Sequence, residues 1–206
     1  AKLLQPTSDG VDDCFGCAVA ISGNRLAVAA SREDGANDSL MDSGAVYVFV
    51  RNNGLWTQEA YIKSPTGAAF VHFGVSVSIL GDRIAVGSPW ASGKNGAVHL
   101  FERNGIEWLH KSSYTSGAYQ SYFGVAVALS EDALAVGAML ENVPSEMAGA
   151  VYIFDQISSG LKQPVRLQPH IVDANDQFGY DLALAGNVLL VGAPREDGSG
   201  TGINSD

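Results

Sequence analysis

The chain has 206 residues, 46% of them apolar, and a net charge of −10 from 12 Lys and Arg against 22 Asp and Glu. That apolar share can fill a real core, while the acidic balance repels phosphate backbones and anionic headgroups, so nucleic acid is not an expected partner. No apolar run approaches the roughly 20 residues of a membrane-spanning helix, so no membrane insertion is expected of this segment.

In chain order, Ala1–Pro6 (AKLLQP) matches Pro164–Pro169 (PVRLQP) and reads as the last strand of a unit, with a loop to residue 14. A segment then opens at Phe15, FGCAVAISGNRLAVAAS, that returns without a gap at Phe73, Phe123 and Phe178. A recurrence every 50 or so residues is the mark of propeller blades. Within each copy, larger apolar residues such as Val19 and Ile21 alternate with small ones, which is the period of a strand. A Gly-Asn or Gly-Asp pair, with Glu131-Asp132 in the third copy, predicts a tight hairpin into a second strand such as Leu26–Ala29.

After a loop of variable length comes a third strand: GAVYVF from Gly44, GAVHLF from Gly96 and GAVYIF from Gly149. A second turn, at Asn53-Gly54 or Asn104-Gly105, leads to a fourth strand carrying Trp56 or Trp108. The expected fold is all-β, a β-propeller of four-stranded antiparallel blades with 15 recognisable strands, divided as 1–14, 15–72, 73–122, 123–177 and 178–206. That odd number leaves two readings: part of a larger propeller, or a four-blade ring whose missing strand a second copy of the chain supplies through an open edge. Gly16, Gly74, Gly124 and Gly179 stand where strands approach closely, and Phe15, Phe73, Phe123 and Phe178 are expected to wedge between blades. Cys14 and Cys17 read as two small packed thiols at a strand entrance, with a local disulfide as the lesser alternative.

These Phe-Gly segments, with Val-Gly-Ala-Pro at 191–194 and Gly-Ala-Val-Tyr-Val-Phe at 44–49, resemble the FG-GAP repeat of integrin alpha-subunit propellers. The shorter version found in secreted and surface proteins is the nearer likeness. The resemblance implies a propeller, an extracellular or cell-surface setting, and a recognition or adhesion role without catalysis. Integrin-type blades often hold calcium in an Asp-x-Asp-x-Asp-Gly loop between the first two strands; here that connection is a tight turn, so those sites do not carry over.

Alternating strand direction puts the short turns at one end of the blades and the long, variable loops at the other, where binding usually sits. Nearly all of the net negative charge falls on the long loops. Glu33, Asp34, Asn37, Asp38 and Asp42, with Glu196 and Asp197 in the last copy, are the candidate Ca²⁺ ligands, and solvated acidic loops are the alternative. Trp90, Tyr114, Tyr119 and Tyr122 are candidates for stacking on a sugar, as in a lectin, or for plugging gaps between blades. Asn37-Asp38-Ser39 is an N-glycosylation sequon.

No nucleophile-elbow, zinc-protease or phosphate-loop motif is present, and the four histidines are scattered, so no catalytic residues are assigned. The expected function is a non-enzymatic extracellular scaffold presenting an acidic loop face to a protein or glycan. A structural subunit of a surface assembly and a glycan-binding lectin are the alternatives.

Overall fold

The structure is a computed structural model that describes residues 12–35, 39–142, 145–155, 157–170 and 173–197. The described residues form four antiparallel sheets, each running in sequence order from its first strand outward. The first holds β1 (Phe15–Ser22), β2 (Arg25–Ala30), β3 (Ala45–Asn52) and β4 (Leu55–Lys63). The second holds β5 (Ser76–Leu80), β6 (Arg83–Ser88), β7 (Ala97–Asn104) and β8 (Glu107–Tyr114). The third holds β9 (Phe123–Leu129), β10 (Ala133–Ala138), β11 (Ala150–Asp155) and β12 (Val165–Leu167), and the fourth β13 (Asp181–Ala185) and β14 (Val188–Gly192). The fold is the all-β blade arrangement expected. The strand expected at 1–6 and the last loop beyond Asp197 lie outside the described residues.

Local chemistry explains the hairpins. Ser22 pairs with Arg25 across Gly23-Asn24, and Asn52 with Leu55 across Asn53-Gly54, where both central residues have positive φ (50° and 81°). That is the two-residue turn whose twist matches a right-handed strand pair. The third copy, without glycine, closes on Ser130 instead: the Ala133 N–H donates to its Oγ at 3.2 Å and the Ser130 N–H to the Ala133 carbonyl at 2.8 Å.

The first strands stand side by side, β1 against β5, β5 against β9 and β9 against β13. Phe73 is fully buried between Ala29, Val46 and Val48 of the first sheet and Ile84, Val86 and Phe101 of the second. Phe123 fills the same place between Val98 and Leu100 and the third sheet's Leu134 and Phe154. Phe73 and Phe123 are thus wedges, whereas Phe15 packs on its own sheet among the described residues. Backbone holds the junctions: the N–H groups of Phe73, Phe123 and Phe178 donate to Ser43, Asn95 and Ala148 of the preceding blade at 3.1, 3.3 and 2.9 Å. This contact is why glycine opens each third strand. A Cβ on Gly44, Gly96 or Gly149 would stand 2.1, 2.1 or 2.2 Å from the next phenylalanine's carbonyl oxygen.

A charged clamp ties the first two sheets at their short-turn end. Strand β4 bulges opposite Val48 and Phe49, leaving Glu59 unpaired in the ladder and turned toward the neighbouring sheet. It accepts from Arg25 Nε at 3.0 Å, pairs with Arg103 of the second sheet at 3.1 Å, and accepts from Trp108 Nε1 at 3.3 Å. Trp108 on the fourth strand therefore serves the blade junction, while Trp56 packs on its own sheet.

The cysteines depart from the packed pair expected. Cys14 and Cys17 are both free and exposed, with Cys17 Sγ 3.2 Å from Ser31 Oγ. They lie at the entrance of β1, where both side chains face solvent. Burial and the neighbouring Cys17 push the Cys14 thiol above its ordinary pKa.

Candidate functional site

The long loops are stitched together by backbone. Ahead of β5, the N–H groups of Phe70 and His72 donate to the carbonyls of Met41 and Asp42 in the preceding sheet's loop, at 2.8 and 3.0 Å. Ahead of β13, Asn175 and Gln177 repeat this toward Glu146 and Met147 at 2.8 and 3.3 Å. In every copy the alternate residues have positive φ: Asp12 and Cys14, Phe70 and His72, Gln120 and Tyr122, Asn175 and Gln177. Such residues are uncommon outside glycine, and their recurrence marks a fixed path that holds the end of each loop rigidly against its neighbour.

The acidic candidates separate into different roles. Glu33 is buried and is not available as a metal ligand: its carboxylate pairs with Lys63 Nζ and accepts from the Tyr61 hydroxyl, both on β4. Asp34 Oδ1 accepts the Asp42 N–H at 2.6 Å, which closes the loop on itself. Glu141, the third sheet's counterpart of Glu33, is buried in the same way, accepting from Arg166 Nε at 2.6 Å and the Tyr152 hydroxyl at 2.7 Å. Burial, and then the bond to the glutamate, raise both phenols well above the usual tyrosine pKa, so each stays protonated and donating. Glu33, Asp34 and Asp42 therefore do not form the densest metal set that their closeness in sequence implied. A basic residue 30 positions on from Glu33 folds onto it. Asn37 and Asp38, and with them the sequon, lie outside the described residues.

In the fourth sheet the outcome is different. Glu196 comes together with Asp173 and Asp176, one carboxylate oxygen from each lying within 4.8 Å of the others. Asp197 is exposed and stands outside this group. Asp173 and Asp176 lie in the acidic long loops but are not among the ligands that closeness in sequence singles out. The available signal was position: Asp176 stands two residues before its Phe-Gly, where Asp13, Val71 and Ser121 stand in the other copies.

The aromatic candidates also divide. Tyr114 is a packing residue, edge-on to Phe154 at 4.9 Å and 5.9 Å from Phe123. Trp90 sits between His72 at 4.7 Å and Tyr122 at 5.5 Å, with Lys94 Nζ 5.8 Å above the Tyr122 ring. These rings form one partly buried ladder across the loops of the second and third sheets. Tyr119 stands apart, 74% exposed, and two further apolar side chains join it at this end: Phe70 at 55% and Met41 at 57%. Two concavities, of about 470 and 660 Å³, lie at the opposite end beside the short turns, lined in part by Leu80, Leu129 and Leu184 and by Asp82, Arg83 and Glu102.

The FG-GAP repeat family matches residues 2–49, 56–101, 115–154 and 163–205. The chain belongs to the FG-GAP repeat family. The stretch 56–101 begins on β4 and ends on β7, and 115–154 runs from just past β8 to β11, so each of these two matches spans one blade junction. Such repeats are typical of extracellular and surface proteins and typically non-catalytic. No curated protein matches the chain. Among the described residues, no helix is long and apolar enough to cross a membrane.

Proposed function

We propose that the chain is a non-enzymatic extracellular recognition and adhesion scaffold whose long-loop end receives a protein or glycan partner. The observation that carries this reading is the exposure of Met41, Phe70 and Tyr119 on loops fixed by backbone bonds between sheets. Exposed apolar side chains on a rigid backbone lose little freedom on binding, and aromatic anchors ringed by polar groups are what interfaces use. The surrounding carboxylates add selectivity for cationic or hydroxyl-rich partners. Screening the purified protein against arrayed glycans and extracellular matrix proteins tests it. The expected result is a partner whose binding falls at least about tenfold in Phe70→Ala and Tyr119→Ala, with unchanged melting. Absence of any hit, or hits that ignore both substitutions, overturns it.

A further inference from the structure

The geometry points to a Ca²⁺ site formed by Asp173, Asp176 and Glu196, a carboxylate centre that pins the loop entering β13 to the loop leaving β14. Its first support is convergence: the three acids come from two loops, yet their oxygens lie within 4.8 Å of one another. Ca²⁺ holds oxygen ligands at about 2.4 Å, so three oxygens all within 4.8 Å of one another are close enough to share one ion, and Ca²⁺ accepts such irregular carboxylate sets more readily than the strictly octahedral Mg²⁺. With oxygen donors alone and no His or Cys in the group, the chemistry favours a hard cation.

The second support is independent of the cluster. Asp176 is 1% exposed, and while its Oδ2 accepts the Asp173 N–H at 2.8 Å, its Oδ1 is buried and has no hydrogen-bond partner among the described residues. A buried carboxylate oxygen left unbonded is costly. A cation between the three carboxylates satisfies that oxygen and offsets their mutual repulsion.

Comparison within the chain shows why this copy differs. Glu196 is the counterpart of Glu33 and Glu141, which turn to a base and a phenol on their own sheets. Asp173, five residues before its Phe-Gly, stands where the other copies have Gly10, Ala68 and Ala118. The third carboxylate is therefore peculiar to the fourth copy and meets the glutamate from the other loop. The backbone is already set for this, since the Arg195 N–H donates to the Asp176 carbonyl at 3.4 Å, as the Arg32 N–H does to Asp13 at 3.2 Å. The site is independent of which partner the loop face recruits.

Calorimetric titration of the chelator-treated protein with CaCl₂, and separately with MgCl₂, tests the assignment. One Ca²⁺ per chain is expected, with a dissociation constant of about 10⁻⁴ to 10⁻³ M as in extracellular modules, and a melting temperature that rises with Ca²⁺. Asp173→Asn and Glu196→Gln alter exposed carboxylates, so both should keep the metal-free melting temperature while weakening Ca²⁺ at least about tenfold. Asp34→Asn, in the first sheet's loop, should bind as the unaltered protein does. Lack of heat up to about 10 mM Ca²⁺, equal affinity for Mg²⁺, or undiminished binding in both cluster variants overturns the site.

Discussion

The first and third sheets bury a charged triad where the second buries none. In the first, Glu33 meets Lys63 and Tyr61; in the third, Glu141 meets Arg166 and Tyr152. The phenol comes from β4 in one and from β11 in the other, and Arg166 takes the ladder place of Tyr61. The second sheet has Ala91 for the glutamate, His99 for the tyrosine of the third strand and Ser113 for the base. The three positions therefore change as a set. The physical reason is asymmetry: a buried ion pair contributes little net stability over an apolar filling, but one member left alone is an unpaired buried charge.

What all three complete sheets share is the junction, so breaking it should have the largest effect and should ignore the triad. Gly96→Ala and Gly149→Ala each drive a Cβ to within 2.2 Å of a carbonyl oxygen that belongs to the next sheet's backbone, at φ of 86° and 84°. Neither backbone can give way without dislodging the phenylalanine wedge. Urea denaturation should show a loss of about 4 kcal/mol or more for either, or failure to fold. A cost below about 1 kcal/mol would mean that the close approach does not hold the blades together.

The triad predicts the next effect. Glu141→Ala should cost about 3 kcal/mol because it removes the buried acceptor shared by the Tyr152 hydroxyl and Arg166. The triple variant Glu141→Ala, Tyr152→His, Arg166→Ser copies the second sheet and should cost less than the single change, despite altering more residues. Chemical denaturation of the two side by side checks this. If the triple variant is the less stable, the second sheet's solution depends on something other than these three positions.

A smaller, pH-dependent difference separates the second sheet from its neighbours. His99 is buried, with Nδ1 2.7 Å from Ser113 Oγ and Nε2 without a partner. Burial, with a lesser contribution from His110, lowers its pKa to about 4. In the unfolded chain an ordinary histidine binds its proton near pH 6.5, so between pH 6.5 and pH 4 the unfolded state holds the extra proton. Stability is therefore complete above about pH 6.5 and falls toward pH 4, by up to about 3 kcal/mol from this group. His99→Phe removes that increment, and the difference in pH dependence between the two proteins isolates it from the carboxylates. Parallel curves would show that His99 is not held neutral.

The blades were legible in the sequence because backbone requirements repeat. Phe-Gly and Gly-Ala-Val answer to the backbone contact at the blade junctions and Gly-Asn to the hairpin turn, so recurring copies reinforce one another. The loops were legible as acidic but not as sites. Closeness in sequence suggested Glu33, Asp34 and Asp42 as ligands, yet Lys63 lies at the end of β4, the second strand after Glu33, and only the sheet brings it over Glu33. Conversely, Asp173 and Glu196 are separated by two strands and meet only in the fold. Tyr114 reads as a loop-face aromatic because it ends β8, and its ring direction, toward Phe154, depends on the next sheet.

Not every recurrent glycine serves the junction, and the turn glycines provide the smallest effect. Gly54 has φ of 81°, close to that of Gly149 at 84°, but a Cβ on Gly54 would meet nothing within 4 Å. The two positions share a backbone conformation and differ in surroundings. Gly54→Ala therefore incurs only the left-handed penalty of an L-residue, roughly 1–2 kcal/mol, while Gly149→Ala adds the collision with Phe178. Their difference in denaturation free energy measures the steric share of the blade junction directly. Equal losses would mean that conformation, rather than contact, selects glycine at both places, and the wedge would then lose its explanation for the Gly-Ala-Val motif.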